Sequence, residues 1–202
     1  MNYQYPPHFN HPEPVYFKGH IDNWLATMPD LIGKPNVTME IGALHGGAAL
    51  FIMDTYGKLD GSWHYIVDPN MTEYIKVNIA PYTKISYLQG YSGDIVRNMT
   101  HGGKAKDFLD LVYIDGNHMA KYVLEDAVLS FHCLKVGGYM VFDDYGWGSD
   151  QPEHCQPKTG IESFMHSYGT YFDVLHVGWQ VILKKKAYEL TAEEKASNYI
   201  VT

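Results

Sequence analysis

Residues 109–118 read Leu-Asp-Leu-Val-Tyr-Ile-Asp-Gly-Asn-His. Leu109, Leu111, Val112 and Ile114 crowd apolar side chains too densely for a strand with one wet face. Such a run suits a strand buried on both sides in a parallel sheet. It ends at Asp115-Gly116, and residues 118–134 follow as a helix with Tyr122, Val123, Ala127 and Phe131 near one face. Gly137-Gly138 reads as the stop of that helix, and residues 139–142 as the next strand. Working back, residues 84–88, 63–67 and 37–41 read as strands. Helices are expected from near Gly93, over 71–80 and over 48–56. Working forward, a helix over 161–168 precedes strands at 171–177 and 179–184, which Gly178 can turn into a hairpin. This alternation predicts an α/β, doubly wound, mostly parallel seven-stranded sheet with helices on both faces and a C-terminal antiparallel hairpin. Residues 1–35, polar and proline-rich at their start, read as an N-terminal arm, and residues 36–202 as a single domain.

The chain has 202 residues, enough for one domain with a real core. Its formal charge of -8 and lack of a basic block argue against a nucleic-acid partner, whose phosphates call for clustered Lys and Arg. The run Lys184-Lys185-Lys186 reads as a solvated strand end. No apolar run approaches the roughly 18 residues of a membrane span, so no membrane partner is expected. Cys133 and Cys155 form no CxxC pair, and no secretory leader is visible at the start. Free thiols in a reducing, cytoplasmic setting are the expectation. Seventeen Tyr and four Trp are enough both to fill a core and to line a pocket for a flat or sugar-like ligand.

In open parallel sheets, ligands bind beyond the carboxyl ends of the strands. The residues there carry chemistry. Glu40-Ile41-Gly42-Ala43-Leu44-His45-Gly46-Gly47 is a glycine turn that lets backbone approach a ligand closely. It lacks the GxGxxG spacing of a dinucleotide site, and Glu40 suits a cationic ligand better than a pyrophosphate. Asp68 can accept from ribose hydroxyls or simply end its strand in a turn with Pro69. Ser92 can cap the next helix or meet an adenine edge, with Tyr91 beside the ring. Asp115, Asp143 and Asp144 follow adjacent strands and are expected to converge, and clustered carboxylates call for a hard divalent cation such as Mg. His118, three residues after Asp115, is a candidate general base, and His154 in the loop over 145–158 is a second.

With these strings in place, the chain resembles the class I S-adenosylmethionine-dependent methyltransferases over about residues 36–186. It is most similar in phrasing to the metal-dependent macrocin-type and cephalosporin-hydroxylase-like O-methyltransferases. MEIGALHGGAALFIM, YIVDPN, GYSGD, LDLVYIDGNH, LKVGGYMVFDDY and TGIESFM carry the likeness. The resemblance implies a Rossmann-like fold. It implies S-adenosylmethionine along Glu40, Gly42, His45, Gly46, Asp68, Tyr91, Ser92 and Asp115, and a divalent metal on Asp115, Asp143 and Asp144. It also implies a small-molecule hydroxyl acceptor: a sugar, a polyketide or another natural product. A homo-oligomer is compatible with it. Catechol-type relatives place a lysine where this chain has His118, and an Asn can stand where it has Asp144. The expected chemistry is an in-line methyl transfer to a hydroxyl with His118 taking the proton, and residues 145–158, with Trp147, closing over the acceptor. Two other readings are a nicotinamide-dependent oxidoreductase, disfavoured by the missing GxGxxG, and a non-catalytic S-adenosylmethionine-binding module, disfavoured by the acid group beside His118.

Overall fold

A computed structural model describes residues 3–11, 15–100 and 106–189. Five parallel strands form the body of one sheet: β1 (Val37–Ile41), β2 (Trp63–Asp68), β3 (Ile85–Gln89), β4 (Leu109–Ile114) and β5 (Leu134–Phe142). Two further strands, β6 (Phe172–Val177) and β7 (Val181–Lys185), join antiparallel beside β5. The order β3-β2-β1-β4-β5-β7-β6 reverses direction between β1 and β4, which opens a crevice at their carboxyl ends. The seven-stranded, mostly parallel sheet with a terminal hairpin is as the strand-helix alternation foretold.

Alternation along the central strands sends side chains to two cores. Val112, Ile114, Met140 and Phe142 pack on one face with Val123 and Ala127 of α5 (Ala120–Phe131) and Ile161 and Phe164 of α6 (Pro157–Tyr168). Leu111, Tyr113, Tyr139 and Val141 pack on the other with Phe51 and Ile52 of α2 (Gly47–Thr55). The helices α3 (Glu73–Ile79) and α4 (Ser92–Thr100) complete the crossovers. Among the described residues, no helix is long and apolar enough to cross a membrane.

Two local readings change. The pair Gly137-Gly138 does not stop α5, which already ends at Phe131. Leu109 faces Leu134 and Leu111 faces Tyr139, so residues 135–138 loop out inside β5, and Gly137 (φ 84°) makes that bulge. The second change concerns the segment read as an arm. A 3-10 turn over Tyr16–His20, α1 (Ile21–Thr27) and a second 3-10 turn over Pro29–Leu31 place Phe17, Ile21, Trp24, Met28 and Leu31 in the α2-side core. Nearer the start, Asn78 accepts from Asn10 N (2.7 Å) and donates to Asn10 O (2.7 Å) and His45 O (2.8 Å). That ties the chain start to the glycine turn.

Candidate active site

The crevice is a cavity of about 1320 Å³, larger than the roughly 300–1,000 Å³ typical of a site for one small molecule. Its first half lies over β1, β2 and β3. Glu40, Gly42, His45, Asp68, Tyr91 and Ser92 all line it, as does Asp115. Gly42 (φ 83°) is forced by its surroundings: a Cβ there would stand 2.1 Å from the carbonyl oxygen of Asp115. The close approach of the β1 and β4 ends that creates the crevice therefore requires glycine. Gly46 (φ 84°) is closed off by the Ile75 side chain and does not line the cavity; it turns the chain into α2.

Asp68 is oriented by backbone amides. Its Oδ2 accepts from Ala43 N (2.9 Å) and its Oδ1 from Asn70 N (2.7 Å). Glu40 is buried, and desolvation pushes its carboxyl above the usual range while His64 opposes that rise. The buried His64 ring bridges Glu40 Oε2 (3.3 Å) and Thr38 Oγ1 (2.8 Å). The parallel register makes this contact, since Thr38 sits opposite His64 and Glu40 lies two residues on, on the same face. Burial lowers the pKa of His45, with His11 adding to the effect, and the His45 ring meets Tyr74 edge-on. The Ser92 hydroxyl bonds Asp126, whose carboxyl burial raises to about 7.

The second half lies over β4, β5 and β7. Ligand atoms of Asp115, His118 and Asp144 lie within 4.8 Å of one another, a spacing that can hold a cation. His118 Nε2 is 2.9 Å from Asp144 Oδ2. That hydrogen bond raises the imidazole pKa, against desolvation and with help from the charges of Asp144 and Asp143. Burial, with Asp143 and Asp144 beside it, pushes the Asp115 carboxyl well above its ordinary value. Asp144 adopts a left-handed backbone (φ 57°), uncommon outside glycine.

Asp143 takes a different part from the one expected. It lines the cavity, but its carboxylate is engaged inward, by Gln180 Nε2 (3.1 Å), the hydroxyl of Tyr113 and the backbone amide of Asp144 (2.7 Å). The residues whose ligand atoms lie close together are thus Asp115, His118 and Asp144, with Asp143 beside them on the lining. Tyr113, almost fully buried, points its hydroxyl at both Asp143 and Asp115 Oδ2 (3.0 Å). Gln180 in turn accepts from the indole of Trp24 (2.7 Å). A buried polar chain thus runs from α1 to the acids.

His154 is not brought to the site. The turn through Gly148 (φ 67°) folds the loop back on itself, and His154 lies exposed on the 3-10 turn Glu153–Cys155, outside the cavity lining. Trp147 of the same loop does line the cavity, with its ring 4.5 Å from that of His118. Sequence reading missed His20, whose Nε2 is 3.9 Å from Asp143 Oδ1, and Trp179, whose Nε1 donates to Asp144 Oδ1 (3.2 Å). Both line the cavity. Nothing local to either residue marks it, because one sits in the first helical segment and the other in a hairpin turn.

A family described as a methyltransferase domain matches residues 39–145. A curated relative, an uncharacterised protein of Acanthamoeba polyphaga mimivirus, is 27% identical in an alignment 137 residues long that covers 60% of this chain and 57% of that protein's length. Two solved structures are similar in fold. The MycE methyltransferase of the mycinamycin biosynthetic pathway, solved with Mg and S-adenosylhomocysteine, is 16% identical, with a TM-score of 0.66 over 87% of this chain and 51% of its own. The O-methyltransferase TomG from Streptomyces achromogenes, solved with S-adenosylmethionine, is 16% identical, with a TM-score of 0.66 over 86% of this chain and 82% of its own.

Proposed function

The chain belongs to this methyltransferase-domain family, and from that premise we propose that it is an S-adenosylmethionine-dependent O-methyltransferase acting on a hydroxyl of a small molecule with help from a divalent cation. The carrying observation is one cavity with two chemically distinct halves: Glu40, Gly42 and Asp68 over β1 and β2, and the Asp115–His118–Asp144 group over β4 and β5. MycE, bound to Mg, S-adenosylhomocysteine and mycinamycin VI, is a neighbour in fold that pairs these ligand types with a small-molecule acceptor.

The residues fit both groups. Glu40 supplies a buried carboxylate toward a cationic ligand, Asp68 offers oxygens toward paired hydroxyls, and Gly42 leaves room for close backbone approach. Asp115 and Asp144 offer hard oxygen donors, with His118 within reach. When bound, the cofactor supplies an electrophilic methyl group, and the cation lowers the pKa of a nearby hydroxyl. The chain's own residues do the rest. His118 receives the hydroxyl proton, and Asp144 orients and stabilises the imidazolium that forms. Tyr113 and Gln180 hold the acids in place from behind. Alignment in the cavity accounts for most of the acceleration.

The short reach of His118 to the acids also supports a second role, as a ligand, which would favour a softer ion such as Mn over Mg. Calorimetry with S-adenosylmethionine, followed by methyl-transfer assays across a hydroxyl library with and without chelator, tests the proposal. Cofactor binding with chelator-sensitive transfer is expected. Binding of NAD in place of S-adenosylmethionine, or full activity in chelator, would overturn it.

A further inference from the structure

Resting on the methyl-transfer reading above, we infer that the acceptor is an uncharged molecule that joins its hydroxyl to a flat apolar face, and that molecules carrying a phosphate, sulfonate or carboxylate are rejected. Two features of the second half of the cavity carry this.

The first is the wall above the acids. Tyr16, Trp147 and Trp179 line the cavity, yet they are 72%, 38% and 52% exposed. Single exposed aromatics are ordinary, but Trp147 and Trp179 stand together over the acids as an apolar patch that marks a binding surface, with Tyr16 elsewhere on the same lining. Two are fastened to the chemistry below them. Trp179 donates its indole N–H to Asp144, and the Trp147 ring stands against His118. Their faces are therefore fixed relative to the two groups that meet the acceptor's hydroxyl. A flat apolar body resting on these rings is held at a set distance from His118.

The second feature is charge. The described lining includes Glu40, Asp68, Asp115, Asp143 and Asp144, the histidines His11, His20, His45 and His118, and no Lys or Arg. Lys18, on the same 3-10 turn as Tyr16, lines an adjoining, smaller cavity that shares Phe9, His11 and Val15 with this one. A divalent cation and the net single positive charge of S-adenosylmethionine would offset three of these five acidic residues. An anionic acceptor would enter an already negative site with no guanidinium or ammonium to receive it. Of the helix N-termini near the cavity, those of α2 at Gly47 and α4 at Ser92 line the cofactor half, while α5 begins at Ala120, two residues past His118.

The test uses the full chain saturated with Mg and S-adenosylhomocysteine. Its probes are 2-naphthol and 6-hydroxynaphthalene-2-sulfonate, which share a ring and a hydroxyl and differ by one remote charge. Calorimetry is expected to show 2-naphthol binding, with the sulfonate at least tenfold weaker. Trp147→Ala and Trp179→Ala are each expected to weaken 2-naphthol several-fold, and Tyr16→Lys to narrow the gap between the probes. S-adenosylhomocysteine affinity is measured first in every variant, which reports both folding and the cofactor half. Failure of that binding in the native chain sinks the methyl-transfer reading. Cofactor binding with equal or tighter sulfonate, or with neither probe bound, sinks this inference alone.

Discussion

His118 and Asp144 face each other with Nε2 and Oδ2 2.9 Å apart, although 26 positions separate them and they leave different strands. The pair joins the one histidine of the β4 turn to a carboxylate held in a left-handed backbone. A cation arriving here competes with the imidazolium proton.

That competition gives a pH dependence. The pairing raises the His118 pKa above 6.5 in the folded chain. Its contribution to stability is therefore fully present below about pH 6.5 and lost as pH rises through the raised value. In chelator, the melting temperatures of wild type and His118→Asn are expected to differ at pH 6 and to converge at pH 9. Affinity for Mn, measured by calorimetry, is expected to rise with pH across the same interval in wild type. A flat Mn profile would remove His118 from the cation site.

Tyr113→Phe tests the support behind the acids. It removes the hydroxyl that lies between Asp115 and Asp143 and leaves buried oxygens without that donor. A loss of about 1–3 kcal/mol is expected without metal. Because an added cation compensates the same carboxylates, Mg is expected to recover more stability in the variant than in wild type. Denaturant melts with and without Mg measure both effects, and equal Mg responses would show that the hydroxyl does not neutralise the acids.

Asp126 gives a prediction of the opposite sense to ordinary acid denaturation. Burial raises its pKa from 3.8 to about 7, with Glu125 adding to the rise and Ser92 opposing it. Below about pH 4 both folded and unfolded chains are protonated there. As pH climbs to 7 the unfolded chain ionises first, and stability is lost. Asp126→Asn is expected to stabilise the chain at pH 8, by up to about 4 kcal/mol, and to do little at pH 4. A constant offset at both values would assign the effect to packing.

Gly42→Ala is expected to be severe. The added Cβ meets Asp115 backbone at 2.1 Å, and φ 83° is unsuited to alanine. A loss of about 3 kcal/mol or more follows from overpacking and strain together. Gly137→Ala carries the same positive φ with nothing within 4 Å, so it isolates the backbone part. Comparable losses in the two variants would mean that the close approach of β1 to β4 is not what selects glycine.

The sheet was legible because buried parallel strands announce themselves as apolar runs, as residues 109–114 do, and because each ends in a polar turn. That Glu40, Asp68 and Ser92 line one half of the crevice was legible for the same reason: they sit at or just past strand ends. The N-terminal helical segment carried a signal that the proline-rich start obscured. Phe17, Ile21, Trp24, Met28 and Leu31 follow a four-three spacing that makes one apolar stripe, and all five are buried. Gly137-Gly138 was ambiguous because a glycine pair serves a helix stop and a strand bulge equally well. The inward turn of the Asp143 carboxylate was not legible. Adjacent carboxylates point to different sides of the backbone, and only the positions of Tyr113 and Gln180 decide which one turns inward.

The Trp24–Gln180 bond spans 156 positions of sequence, and it bears on how the chain is made. A ribosome delivers Trp24 early, and its indole N–H has no partner until the last hairpin emerges. The same hairpin carries the amide that steadies Asp143. The nascent first helix can collapse onto its neighbours before then, but without its native anchor. The packing behind the acids is therefore completed only when the β6–β7 turn docks, and a stalled translation product lacking that turn would hold most of the sheet without the amide that steadies Asp143.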